Sequence, residues 1–202
     1  MSELTPELVV RAYTIGVFPM AKARHDPDVY WVDPEERGIL PLDTFHVPRS
    51  LAKVLRRQPF RVTVNRAFEQ TIAGCAEATE DRPETWINPE IERLFVQLHR
   101  LGLAHSVETW QGERLVGGIY GLALAGAFFG ESMFSRVPEA SKVALVHLVK
   151  RLTFGGFTLF DTQFTNPHLL RFGAVDIPRL DYHQRLRQAL ETPADFHALP
   201  ED

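Results

Sequence analysis

The sequence predicts an α+β chain in two parts, a small N-terminal α/β part followed by a larger C-terminal one. Three observations carry the prediction. Before residue 80 the helix start and stop signals dominate, and Arg61 to Val64 is the one short β-prone run. From His105 onward the texture changes to long β-prone runs separated by glycine turns. Between the two lies a charged segment, Glu77 to Glu84, read as a surface loop, so a boundary falls in the region from Ala78 to Glu90 and the domains are 1–80 and 81–202.

Taken in order, Thr5 caps a first helix, Pro6 suits its first turn, and Gly16 is placed to end it. The stretch from Phe18 to Pro34 is rich in Pro, Asp and aromatics without a period, and reads as an ordered loop that lines a site. A helix from Ser50 would carry Lys53, Arg56 and Arg57 on one side, and composition alone favours a solvated face over an anion-binding one. Asn65 is expected to cap a helix running to about Ala78. Asn88 caps another, with Pro89 in its first turn, apolar Ile91, Leu94, Phe95 and Leu98 on one face, and Gly102 as terminator.

His105 to Trp110 and Arg114 to Leu124 form a hairpin about Gly112, and Ala127 to Met133 supplies a third strand that puts Glu131 at its end. A helix from Ala140 to Thr153 closes at Gly155 and Gly156, and Phe157 to Asp161 is a fourth strand, apolar enough to be buried on both faces. A short helix starts at Asn166-Pro167, a last one at Pro178, and the tail after Glu191 is expected to be loose. The meander, helix and further strand resemble the core of the N-acetyltransferase (GNAT-like) superfamily, a statement of fold and not of function.

Composition narrows the classes. A net charge of −4 argues against coating nucleic acid without regard to sequence, although it leaves room for a local basic face. The single cysteine, Cys75, excludes an intrachain disulfide framework and fits a reducing compartment. No secretory signal and no run of about 18 apolar residues is present. The expected location is the cytoplasm, away from membranes, and the expected state is a monomer.

Chemistry gathers at two stretches. Glu131 lies among Phe128, Met133 and Phe134; a carboxylate in apolar surroundings must be paired, protonated or functional, unless it simply reaches water at a strand end. Asp161-Thr162-Gln163 ends the next strand, so the two acids should converge on one crevice, with Gln163 adding a donor and an acceptor. Asp161 alone reads equally well as the cap of the following turn. Loops for nucleotide phosphates, HExxH and a nucleophilic-serine elbow are absent, and His105, His147 and His168 lack metal spacing. Arg114-Leu115-Val116-Gly117-Gly118-Ile119 departs from the coenzyme A pyrophosphate pattern and lies in a hairpin.

In order along the chain stand Gly16-Val17-Phe18-Pro19, Trp31 with Asp33-Pro34, Thr85-Trp86-Ile87, Ala104-His105-Ser106, Leu115 to Gly121, Gly130-Glu131-Ser132-Met133-Phe134-Ser135, Ala140-Ser141-Lys142 and Asp161-Thr162-Gln163. Together, from about Tyr13 to Tyr182, they resemble leucyl/phenylalanyl-tRNA–protein transferase, the bacterial N-degron aminoacyltransferase family. The resemblance implies transfer of Leu or Phe, and Met as a further donor, from aminoacyl-tRNA to the α-amine of proteins beginning with Lys or Arg, which marks them for degradation. It implies no cofactor, because the tRNA ester is already activated. It assigns Asp161 with Gln163 to binding and deprotonating the amine and Glu131 to holding the reacting end. Ile119, Phe128, Met133, Leu148 and Phe160 become the aminoacyl pocket, and Trp31 and Trp86 the platforms for the terminal adenosine. Lys53, Arg56 and Arg57 become tRNA phosphate contacts. Phe95 departs from the family pattern, where some members carry Tyr. Two other classes compete: an acyl-coenzyme A N-acyltransferase on a GNAT-like fold, and a non-catalytic RNA-binding module.

Overall fold

A computed structural model describes residues 4–79 and 83–200. Helix α1 (Pro6–Thr14) begins as its signals dictate, with the Thr5 hydroxyl accepting the Leu8 N–H at 3.3 Å. The stretch expected as an ordered loop then forms a ribbon at its ends, β1 (Phe18–Met20) paired antiparallel with β2 (Tyr30–Val32). Strands of three residues are too short to display an alternation, which is why the run looked aperiodic. After β3 (Glu36–Ile39) come α2 (Arg49–Arg57), β4 (Arg61–Val64) and α3 (Phe68–Ala76).

Asn65 does not cap α3. It sits at φ +56°, and its side-chain oxygen accepts the Ser106 N–H at 3.0 Å, tying β4 to β5 (Ala104–Gln111). The N–H of Ala67, just before α3, donates instead to the buried Glu108 carboxylate at 3.4 Å. Of the segment read as a surface loop, Glu80, Asp81 and Arg82 lie outside the described residues. Helix α4 (Pro89–Arg100) is capped by Asn88, which accepts from Ile91 at 2.8 Å.

The main sheet has seven strands in the order β4-β5-β6-β7-β8-β3-β9. Strands β5, β6 (Arg114–Leu124) and β7 (Ala127–Ser135) form the expected meander. Helix α5 (Ala140–Phe154) then crosses over to β8 (Leu159–Gln163), which runs parallel to β7. Helix α6 (Pro167–Leu170) follows, then β9 (Val175–Pro178) and α7 (Arg179–Glu191). Strands β3 and β9 were not foreseen: each is four residues long, one carrying Glu, Arg and Gly, the other Asp and a terminal Pro. The sheet thus draws strands from both sides of the 78–90 region, since β3 and β4 precede it.

Apolar residues of α1, α3, α4 and α7 fill one face of the sheet, and those of α2, α5 and α6 fill the other. The C-terminal segment is not loose. Phe196 is 4% exposed, its ring stacks on His105 at 4.0 Å, and Arg151 donates to the carbonyls of Phe196 and Leu199 at 3.0 and 2.6 Å. Among the described residues no helix is long and apolar enough to cross a membrane.

Two register slips shape the sheet between β6 and β3. Tyr120 opposes Ser132 while Gly121 opposes Gly130, so Glu131 is an extra residue in β7. Gly38 opposes Gln163 while Ile39 opposes Asp161, so Thr162 is an extra residue in β8. Such bulges bend a strand and re-aim its side chains.

Candidate active site

A cavity of about 270 Å³ opens between the ribbon and the two bulged strands. Ile119, Met133, Leu145, Phe160 and Leu169 make its apolar wall, Phe18, Met20 and Trp86 stand on the ribbon side, and Glu131, Thr162 and Gln163 bring polar atoms to it. Strict alternation would send Thr162 and Gln163 to opposite faces; the bulge lets both line the cavity.

Glu131 is mid-strand, not at a strand end as expected, and is 8% exposed. Gly130 beside it makes the position possible, because a Cβ there would fall 2.6 Å from the Phe160 ring. One Glu131 carboxyl oxygen accepts the Gln163 side-chain N–H at 3.1 Å. Burial pushes the Glu131 carboxyl up to about 8, and the nearby Asp161 charge adds to that rise. The Tyr13 hydroxyl, the Arg37 charge and the Gln163 amide oppose it. The Tyr13 hydroxyl is buried against Glu131 but stays outside hydrogen-bond geometry, so its influence is that of a nearby dipole.

Asp161 does not reach the cavity. It is fully buried on the opposite side of β8, gripped by Arg37 through Nε–Oδ1 at 3.0 Å and Nη2–Oδ2 at 2.7 Å. Tyr182 donates its hydroxyl to Oδ2 at 2.7 Å, and the Gln163 backbone N–H donates to Oδ1 at 2.8 Å. Arg37 is 1% exposed, sandwiched between the Phe18 and Tyr182 rings at 4.5 and 4.4 Å, and also donates to the Gly16 carbonyl at 2.9 Å. Burial opposes the charge on Arg37, and the Asp161 carboxylate more than offsets this. The expected crevice therefore holds Glu131 and Gln163, with Asp161 behind it.

Of the five predicted pocket residues, Ile119, Met133 and Phe160 are in the wall. Phe128 stands behind Phe160, edge-on at 5.6 Å, with Phe196 stacked on its other side at 5.8 Å. Leu148 is buried in the core one turn of α5 beyond Leu145, which takes the wall position, and Leu169 of α6 completes it. Trp86 borders the cavity; Trp31, 38% exposed, stands on the ribbon outside it. Lys53, Arg56 and Arg57 are exposed on α2, on the α5 side of the sheet. His105 is structural: burial lowers it to about 3. Among the described residues no three His, Cys, Asp or Glu side chains cluster to hold a metal.

Sequence reasoning missed Arg37, Tyr182, Tyr13, Leu145 and Leu169. Arg37 lies 124 residues from its partner and carries no local signal of burial. The Thr162 hydroxyl was also overlooked; it is buried in the cavity wall without a partner among the described residues.

Residues 39–187 match the sequence model of leucyl/phenylalanyl-tRNA protein transferase, and residues 2–35 that of its N-terminal domain. A leucyl/phenylalanyl-tRNA–protein transferase of Rhodospirillum rubrum is 61% identical over 97% of this chain and 92% of its own. One from Phenylobacterium zucineum is 58% identical over 98% and 90%. Among solved structures, FemX superposes with a TM-score of 0.55 at 12% identity, over 87% of this chain and 69% of its own. That likeness concerns the fold alone and bears out the expected GNAT-like α+β architecture.

Proposed function

The chain belongs to the leucyl/phenylalanyl-tRNA protein transferase family and is an aminoacyltransferase, and from that premise we propose its acceptor and how its cleft carries out the transfer. The acceptor is the α-amine of proteins beginning with Lys or Arg, which are thereby marked for degradation in the N-degron pathway. The donor is Leu-tRNA or Phe-tRNA, with Met as a further side chain that a wall of Ile, Leu, Met and Phe accommodates. The observation that carries the reading is Glu131: an acid with no cation bonded to it among the described residues, at the edge of an apolar cavity, held near 8.

An α-amine has a reference pKa of about 7.7–8.0, so a carboxylate near 8 is matched to take its proton. The incoming ammonium first gives one proton to water; the neutral amine nitrogen then attacks the ester carbonyl while Glu131 accepts the second proton, which the nitrogen sheds as the new bond forms. The tetrahedral species then collapses, the bond to the ribose oxygen breaks, and the proton passes from Glu131 to that oxygen as the amide forms. Gln163 orients Glu131 with its N–H, which leaves its carbonyl oxygen to accept from the incoming ammonium. Asp161 acts from behind, through Gln163. Trp86 offers an indole at the mouth on which the terminal adenine stacks, Trp31 extends that platform on the ribbon, and Lys53, Arg56 and Arg57 meet phosphates of the acceptor stem.

The test is transfer of radiolabelled Phe from Phe-tRNA to peptides beginning with Arg, Lys or Asp, and to an N-acetylated Arg peptide. Label is expected on the first two only. Equal labelling of the Asp peptide would remove the basic-residue acceptor from this reading.

A further inference from the structure

We propose that Arg37 is a positioning residue for the transfer, holding through Asp161 the bulged turn that presents the Gln163 carboxamide to Glu131. The turn is an unfavourable one. Gln163 has φ +56°, and the Phe164 N–H closes onto the Thr162 carbonyl at 2.6 Å, an i to i+2 link around a positive-φ residue. Turns of this kind are rare and strained, and persist where neighbouring structure over-determines them. Two contacts do so here. Asp161 Oδ1 accepts the Gln163 N–H at 2.8 Å, and the following backbone is pressed onto β3 at Gly38, where a Cβ would fall 2.6 Å from the Phe164 carbonyl carbon.

Asp161 can hold that N–H only if its own rotation is fixed. Arg37 fixes it with two parallel N–H···O bonds, a planar fork that Lys cannot reproduce. Arg37 is in turn fixed by Gly16, Phe18 and Tyr182, so the end of α1, the ribbon and α7 all converge on the turn. The chain Arg37, Asp161, Gln163, Glu131 is continuous in hydrogen bonds, and only its last two members border the cavity. Burying an ion pair is a poor route to stability alone, since an apolar replacement of the pair is often as stable. Orientation gives the pair a reason to be charged.

The proposal rests on the reading of Glu131 as proton acceptor. The variants are Arg37→Lys, Arg37→Met and Asp161→Asn, followed by turnover and KM with Phe-tRNA and an Arg peptide. Glu131 is titrated separately by carboxyl carbon NMR, assigned against Glu131→Gln. Arg37→Lys, folded by circular dichroism, should lose at least about tenfold in turnover with KM for Phe-tRNA within about twofold, as expected of a misplaced rather than missing group.

The groups facing Glu131 are Tyr13 from α1, Arg37 from β3, and Asp161 and Gln163 from β8. Removing the Arg37 charge should therefore move the Glu131 titration upward, and removing the Asp161 charge should move it downward. Those displacements report the two charges alone; what a purely structural pair would not produce is a loss of turnover without a change in KM in Arg37→Lys, which keeps the charge and loses the fork. Wild-type turnover in folded Arg37→Lys, or a loss that appears in KM for Phe-tRNA and not in turnover, overturns the proposal. Should Arg37→Met fail to fold, Arg37→Lys and Asp161→Asn decide. If the wild type labels a peptide beginning with another residue and no Arg peptide, the acceptor assignment fails, and the same comparison of turnover and KM on that peptide decides the positioning role.

Discussion

Asp161 and Glu131 stand on neighbouring strands, both withdrawn from water, and differ in what surrounds them. Asp161 has four donors, two from a guanidinium, and every oxygen is engaged. Glu131 has one amide donor and no cation bonded to it among the described residues, in a wall of Ile, Met, Leu and Phe. A carboxylate given a cation becomes a structural anion; one denied it keeps its proton to near neutral pH and can exchange it. The difference teaches that two acids in one sequence neighbourhood divide their work by their donors and not by their residue type. It also explains why the proposed transfer takes Glu131 as the base in place of Asp161, whose oxygens already accept four hydrogen bonds.

The largest test of that division is kinetic. Glu131→Gln should lower single-turnover transfer by about 10²- to 10⁴-fold at pH 8 with little change in KM for aminoacyl-tRNA, the range expected of a general base. Asp161→Asn should cost less, since the amide oxygen can still accept the Gln163 N–H; equal losses would erase the distinction. Next comes stability. Asp161→Ala strands the buried Arg37 charge and should lower the unfolding free energy in urea by about 3–5 kcal/mol. Glu131→Gln should lose far less.

The pH dependence has a fixed sign. Glu131 titrates at about 8 folded, against 4.5 as its ordinary value, so the folded chain binds a proton that the unfolded chain has released between those limits. Its contribution to stability is complete below 4.5 and is lost as pH rises to about 8. The unfolding free energy of the wild type should fall relative to Glu131→Gln across that window, and turnover should rise over its upper part and level off above about 8. The smallest effect belongs to Tyr13→Phe. Removing a hydroxyl that favours ionised Glu131 should shift the acid limb upward by less than about one unit. An unchanged limb would mean that the phenol does not act on Glu131.

What the sequence revealed and what it hid divide along physical lines. Caps and turns are local, so Thr5, Asn88 and the Gly112 hairpin were legible. Glu131 was legible because a charge inside an apolar run is an anomaly wherever it folds. Arg37 was not, because a charged residue next to Glu36 and Gly38 looks like surface until a partner 124 residues away is known. Phe128 and Leu148 were legible as buried, yet not as standing behind the wall; Phe196 backs the one, and the rotation of α5 turns Leu145 inward ahead of the other. The bulges at Glu131 and Thr162 escaped because one extra residue leaves no trace in an alternation read over so few positions. Unbulged strands would have put Asp161 and Glu131 in one crevice.

The order of the sheet also sets a timetable. Strand β3 leaves the ribosome early but lies between β8 and β9, so it has no partner until β8 has emerged and lacks its second until residue 178 has. The strained turn at Gln163 is braced against that same strand, and the guanidinium that steadies it waits as long. Closing so long a loop is slow, and the nascent chain therefore carries a folded meander well before it carries a working cleft. A copy lacking only its last strand and helix has β3 open on one edge and is without the Tyr182 hydroxyl that steadies Asp161.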